Sequence, residues 1–363
     1  MESYICPAAQ RNVRQKPYRD SLRLLPLKSV HSYRFSYSAY ISWVFFYSQL
    51  VKKLPYPTGS YQGKTIVITG SDTGLGKEVA RHYLRLGASR LIVAVRSLDK
   101  RNEAKQDIEA TTKCAADVIQ VWQVDMASYD SVKNFAAHIN AELDRVDIFI
   151  ANAGCAKLRY TTTEDNETQI TINVVSIFLL AFMVLPKLKE TALKFQTRPT
   201  LSVTSSGAYK SATFPQSTAA EGKLFATIND QETAEKHWKE QYPISKLLRI
   251  FILRSFAEKY PASTFPLAVN CVSPGLCHSG LARGNTSLAF TIFKFFLARS
   301  AEVGSGTLVH AGSAGIESHG HYLADCAVEE PTELVTGNRD VQDRIWVELV
   351  EKLKAIKTDV MEF

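Results

Sequence analysis

Cysteine is scarce and unpatterned in this chain. Six residues (Cys6, Cys114, Cys155, Cys271, Cys277 and Cys326) occur in 363, with no C-x-x-C pair among them. That spacing suggests neither a zinc site nor a dense disulfide framework, so no metal is called for and the thiols are expected to be mostly buried in a reducing, cytoplasmic setting. No internal repeat of fixed short period is present. The apolar run AYISWVFFYSQLV, residues 39 to 51, is thirteen residues long, short of the about 20 that cross a bilayer as a helix. Excess charge is missing from most of the chain as well. The formal net charge is +7, yet residues 1 to 53 hold nine Lys/Arg against two acids, and the 34 basic and 34 acidic residues that remain cancel. Beyond that leader there is no electrostatic case for nucleic acid. What is present is an ordinary globular balance, 45% apolar and 22% charged, enough for one large core or two moderate ones.

Residues 1 to 38 are rich in Arg, Ser and Tyr and poor in acid, the composition of a flexible or targeting segment. Three readings compete for residues 39 to 53. In descending order they are a helix packed on the protein's own core, an interfacial helix making peripheral membrane contact, and part of a mitochondrial-type presequence. LPYPTGS, residues 54 to 60, carries two prolines and a glycine and is expected to be a linker. The organisation expected is a leader over 1–60, a nucleotide-binding domain over 61–330 and a helical tail over 331–363. In that tail Ile345, Leu349, Leu353 and Ile356 share a face that packs internally or against a partner.

From residue 61 the pattern becomes regular. KTIVIT (64–69), LIVAV (91–95), VIQVWQV (118–124), DIFIA (147–151), LSVT (201–204) and LAVNCV (267–272) are short apolar runs separated by helical spacers. Continuous apolar strands alternating with helices predict an α/β fold, a doubly wound parallel sheet of the Rossmann type. One spacer, 207–241, is oversized and broken by Phe214-Pro215. Its place at the carboxyl edge of the sheet predicts a substrate-covering lid.

The turn after the first strand reads TGSDTGLG. Gly70, Ser71, Thr73, Gly74, Leu75 and Gly76 there place backbone N–H groups and a helix N-terminus where a pyrophosphate can sit. A site for NAD(H) usually has an acid at the end of the second strand, about 20 residues on. This chain has Arg96 instead, which suits the extra phosphate of NADP(H), with NAD(H) kept as the alternative.

Tyr242 and Lys246 in YPISK lie one helical turn apart. An ammonium on the same helix face can supply the roughly 4 kcal/mol that moves a phenol from a pKa of about 10 to about 7. Asn152 and Gly154 in ANAG, and Ser205-Ser206, fall at the carboxyl ends of strands facing the same crevice.

Six motifs in one order, TGSDTGLG, ANAG, INVVS, VTSSG, YPISK and SPGLCHS, make residues 61 to 330 resemble the short-chain dehydrogenase/reductase family, in its retinol-dehydrogenase-like branch with many fungal relatives. The resemblance implies Tyr242 as the acid/base, Lys246 as its partner at the nicotinamide ribose, and Ser206 as the group that orients the substrate oxygen. It further implies Asn173 holding a water chain from Lys246, Asn152 bracing the cofactor loop, and Asp125 meeting the adenine. Pro274, Gly275 and Ser279 would close over the nicotinamide. The implied substrate is a carbonyl or alcohol of an apolar small molecule of the secondary-metabolite kind. Phe214, Phe225, Trp238, Phe290, Phe293, Phe295 and Phe296 are the aromatics expected near it. The resemblance also implies a homo-oligomer formed through the helices after the fourth and fifth strands. Two rival functions are a membrane-associated retinoid or lipid dehydrogenase and a non-catalytic dinucleotide-binding scaffold.

Overall fold

The computed structural model describes residues 43–97, 99–115, 117–282 and 287–363. Within them an eight-stranded sheet runs in the order β8-β7-β6-β5-β4-β1-β2-β3. The strands are β1 (Thr65–Thr69), β2 (Arg90–Val95), β3 (Ile119–Gln123), β4 (Ile148–Ala151), β5 (Thr200–Thr204), β6 (Ala268–Ser273), β7 (Tyr322–Ala324) and β8 (Ala327–Val328). All pairings are parallel except the β7–β8 hairpin at one edge. All six expected strands are present. β1, β4, β5 and β6 are buried along their whole length. Being covered on both faces removes the alternation of polar and apolar residues that a half-exposed strand would show.

The order reverses between β1 and β4, so the crevice for a ligand opens at the carboxyl ends of these two strands. Around the sheet pack α1 (Gly74–Arg85), α2 (Asp99–Thr112), α3 (Tyr129–Glu142), α4 (Ser176–Phe195), α5 (Trp238–Lys259), α6 (Leu288–Leu297), α7 (Ala301–Ser313) and α8 (Arg339–Ile356). One apolar cluster joins the sheet to α3, α4, α5 and α8, and a second joins it to α1 and α7. The segment Thr168–Phe195 is apolar and long enough to cross a membrane, but 89% of its most apolar window is buried inside the molecule. It is a core helix.

The tail is not a separate unit: Ile345, Leu349 and Leu353 of α8 are fully buried in the main cluster, Ile356 packs at its edge, and Phe363 stacks near Phe182, Phe256 and Tyr260. The face open to either of two occupants is therefore filled internally.

The excursion 207–241, expected as a substrate-covering lid, is packed against α8. It holds short helical turns at Gly207–Ser211, Pro215–Thr218, Leu224–Asn229 and Gln231–Lys236. The Glu348 carboxylate of α8 accepts from the backbone amides of Leu224 (3.0 Å) and Phe225 (2.9 Å), satisfying helix-start donors that have no partner in the helix itself. Arg344 donates to the carbonyls of Ser217, Ala219 and Ala220.

Residues 46 to 60 lie within the larger compact unit, Phe46–Phe363. Residues 43–50 are helical, and Arg299 donates to the Ser48 carbonyl at 2.5 Å, so the stretch from Phe46 onward belongs with the main unit. The expectations for residues 1 to 42 lie outside the described residues.

Candidate active site

β1 delivers its chain into the turn Gly70–Gly76, where Gly70 and Gly74 adopt φ of +65° and +58°. A side chain at Gly76 would strike the Gly70 carbonyl at 2.3 Å and Asn152 Nδ2 at 2.8 Å, so only glycine lets α1 start this close to the strand. The first turn of α1 carries no acid, leaving its positive dipole end to an anion. Asn152 braces the turn from beneath, its Nδ2 donating to the carbonyls of Thr69 (3.0 Å) and Gly70 (3.1 Å). Ser71 is buried, and its hydroxyl donates to the Ile68 carbonyl at 2.9 Å. It shapes the turn with its side chain and leaves ligand contact to the backbone. These residues fit a dinucleotide pyrophosphate.

The flanks agree with that fit. Arg96 follows β2 and is exposed, at the place expected for a 2′-phosphate. Asp125 follows β3, where its Oδ1 accepts from the Ala127 amide at 2.9 Å. Gly275 has φ of +76°, and Ser279 lies against the phosphate turn, 3.6 Å from where a Cβ on Gly74 would be. Thr73 and Leu75 lie in the same turn, and Pro274, whose carbonyl accepts from Cys277 Sγ at 3.3 Å, lies in the segment that closes on it.

The catalytic candidates come together at the carboxyl ends of β4 and β5. Tyr242 sits in the second turn of α5 rather than at its start, and the following Pro243 lies inside the helix, where it removes one backbone donor. Ser206 Oγ accepts from the Ala208 amide at 3.2 Å, and the same side chain pulls the Tyr242 phenol down. Ser205, in contrast, is buried with its hydroxyl donating to the Lys246 carbonyl at 2.9 Å. The structure thus separates the two serines: one anchors α5, the other faces the phenol. Gly154 carries the crevice to this pair. A Cβ there would lie 3.1 Å from Asn173 Oδ1 and 3.5 Å from Lys246 Nζ.

Two electrostatic expectations change. The Lys246 ammonium does not sit at the phenolic oxygen. It lies 5.5 Å from the Tyr242 ring centroid and donates to the Thr204 carbonyl at 3.2 Å. Burial, and secondly the Arg249 charge, hold Lys246 well below the usual lysine range. Burial also pushes the Tyr242 phenol up, with Ser206 and then Arg249 pulling it down. The expected depression to neutrality is absent because desolvation of a phenolate outweighs both. The cation acting on the phenol is Arg249, which the sequence reading missed. The signal was a basic residue seven positions after Tyr242, on the same face of an otherwise apolar helix.

Asn173 lies in a π-turn, Thr171–Val175, that leads into α4, the kind of irregularity that gathers at functional sites. Its Oδ1 accepts from the Cys155 amide at 2.9 Å, its Nδ2 donates to the Cys155 carbonyl and to Ser245 Oγ, and its own carbonyl accepts from Arg249 Nε at 2.6 Å. A water chain from Lys246 therefore has the second lone pairs of that carbonyl and of Oδ1 to attach to.

A family model described as short chain dehydrogenase matches residues 64–197. The short chain dehydrogenase/reductase dmxR8 of Cryptosporiopsis sp. is 61% identical over 318 residues, covering 87% of this chain and 98% of the relative. The chain belongs to the short-chain dehydrogenase/reductase family. Another relative of this dehydrogenase/reductase, the short chain dehydrogenase atnD of Emericella nidulans, is 40% identical and covers 77% of this chain and 90% of its own. Among solved structures, a Pseudomonas aeruginosa RhlG/NADP active-site complex shares the fold with a TM-score of 0.55 at 20% identity, covering 74% of this chain and 97% of that one.

The aromatics expected around a substrate do not act as one set. Phe214 and Phe225 are buried in the main core and Trp238 is half-buried. Phe293, Phe295 and Phe296 of α6 are 40%, 74% and 69% exposed. The side chain of Phe290 lies outside the described residues.

Proposed function

We propose that this short-chain dehydrogenase/reductase is an NADP(H)-dependent reductase of a carbonyl on a largely apolar small molecule. The observation that carries the reading is the convergence of Ser206, Tyr242 and Lys246 at the carboxyl ends of β4 and β5, on the crevice that the Gly70–Gly76 turn lines. When bound, NADPH supplies the hydride. Ser206 holds the substrate oxygen beside Tyr242, and the phenol gives that oxygen its proton as charge develops on it. Lys246, anchored on the Thr204 carbonyl under the tyrosine ring, sets the ring's position and offers donors to the cofactor ribose. Arg96 supports NADP(H) over NAD(H), because an exposed guanidinium at the end of β2 matches a phosphate and not a ribose diol.

Burial keeps the Tyr242 phenol protonated at neutral pH, so it is loaded for proton donation, which is the reductive step. Alcohol oxidation needs the phenolate and is expected to rise with pH, while reduction falls over the same limb. The test is turnover of a panel of apolar ketones and quinones with NADPH from pH 5 to 10, with Tyr242→Phe alongside. Loss of about 10²–10⁴ in kcat for the variant is expected. Equal rates for the two proteins would remove Tyr242 from the chemistry.

A further inference from the structure

Arg249 has relative exposure of 0% and is the largest fully buried side chain among the described residues. Its guanidinium holds three backbone carbonyls from three separate elements. Nε donates to Asn173 of the π-turn at 2.6 Å, Nη1 donates to Thr204 at the end of β5, and Nη2 reaches Ala153 after β4 at 3.5 Å. These are the elements that carry Asn173, Ser206 and Gly154. Thr204 is shared, because Lys246 Nζ donates to the same carbonyl.

Among the described residues no carboxylate pairs with Arg249. The ionisable groups that face it are Tyr242 and Lys246 from its own helix, Cys155 from the loop after β4, and Cys271 from β6, while the π-turn presents only the neutral Asn173. No carboxylate is among them. Burial pushes both thiols up to about 11, so neither carries a negative charge at neutral pH. A buried cation is ordinarily retained only with a paired anion, and carbonyl dipoles satisfy its donors without cancelling its charge. The one group facing it that can become an anion by reacting is the Tyr242 phenol.

We propose that Arg249 is a positioning residue of this active site, whose guanidinium ties the Asn173 turn to the ends of β4 and β5 and stands as the permanent positive charge behind Tyr242 and Lys246. It divides the work that one lysine was expected to do. Lys246 places the ring and serves the ribose, while Arg249 stabilises the negative charge left on the phenol once its proton has gone to substrate. A guanidinium suits that post because, with burial pulling it down to about 10, it is still protonated at neutral pH, and its fork reaches several carbonyls at once where an ammonium acts as a point charge. This rests on Tyr242 being the acid/base as proposed above.

The test reads the phenol directly. Protein labelled with 13C at tyrosine Cζ is titrated by NMR with NADP+ bound, the Tyr242 resonance being assigned by its disappearance in Tyr242→Phe. In Arg249→Met the Tyr242 midpoint is expected to move up by about one unit or more, a tenfold change in phenolate at fixed pH, or to leave the accessible range. In Arg249→Lys, which keeps the charge and loses the fork, the midpoint should stay near that of the wild type while the thermal midpoint falls. An unmoved resonance in Arg249→Met, with Lys246 taking up the charge in its place, would overturn the proposal, as would an equal shift in both variants. If Arg249→Met does not fold, Arg249→Lys decides alone: an unmoved midpoint supports the charge role, and a moved one refutes it. A Tyr242 that titrates as expected in a protein whose Tyr242→Phe variant still turns over substrate would remove the proposed function and leave this inference standing.

Discussion

A tyrosine is a poor acid in water and a worse one when buried, so the groups that act on Tyr242 decide what it can do. Ser206 and then Arg249 pull its phenol down against burial, and only the first was legible in the sequence. The motif order exposed Tyr242, Lys246, Ser206, Asn173 and the glycines because their chemistry requires fixed types at fixed spacings. Arg249 carries no such signature, since its partners are backbone carbonyls 45 to 96 positions away in sequence and carbonyls leave no trace in residue type. The same limit explains Ser71 and Ser205, whose hydroxyls turn inward to carbonyls that sequence does not display. Arg96 gives the clearest test at this scale. Arg96→Asp trades a phosphate-binding fork for a diol-binding carboxylate, so kcat/KM with NADPH should fall by about tenfold or more while that with NADH holds or rises. Loss of a charge-assisted hydrogen bond of about 1.5–3 kcal/mol sets that scale. Unchanged NADPH preference in steady-state kinetics would move the 2′-phosphate contact elsewhere.

Among the elements, the six strands and the phosphate turn were readable because burial on both sheet faces writes continuous apolar runs and the turn demands glycine. The insertion 207–241 was readable as an insertion but not as a packed one. What fixes it is Glu348, a carboxylate on the last long helix that accepts from Leu224 and Phe225 more than 120 residues back. A cap from so distant a segment has no local pattern, unlike Ser128, which caps α3 from the adjacent position at 3.2 Å from the Ser131 amide. Glu348→Ala leaves two buried amides unpaired, and by the usual magnitude of a lost cap it should cost about 1–2 kcal/mol. A fall of several °C in the thermal midpoint with near-normal cofactor affinity is expected in a calorimetric and binding comparison. An unaltered midpoint would mean that α8 does not hold the insertion.

At the scale of the whole molecule, α8 packs on α4 and α5, with Trp346 and Phe363 set against Phe182 and Phe256. Exposed large apolar side chains gather elsewhere, at Phe46, Tyr47, Leu50 and Val51, and at Leu288, Ile292, Phe293, Phe295 and Phe296 of α6. The Arg299–Ser48 hydrogen bond joins the two stretches beside the segment that closes on the phosphate turn. We propose that this surface, with the exposed Lys52 and Lys53 beside it, meets an anionic lipid bilayer. Full-length protein should float with phosphatidylserine-containing vesicles at low salt and less so with neutral ones, and Phe295→Glu with Phe296→Glu should abolish flotation while leaving the fold intact. Flotation unaffected by that pair would assign the contact to other residues.

The central claim, that Tyr242 works with NADPH to reduce a carbonyl, is tested most directly by isotope transfer. Purified protein is incubated with [4-2H]NADPH and the panel of apolar ketones and quinones, and products are weighed by mass spectrometry. The account predicts an alcohol one mass unit heavier from the wild type, with Tyr242→Phe forming it at least about a hundredfold more slowly. Deuterium delivered equally fast by Tyr242→Phe, or alcohol formed without deuterium from either label at C4, would contradict it.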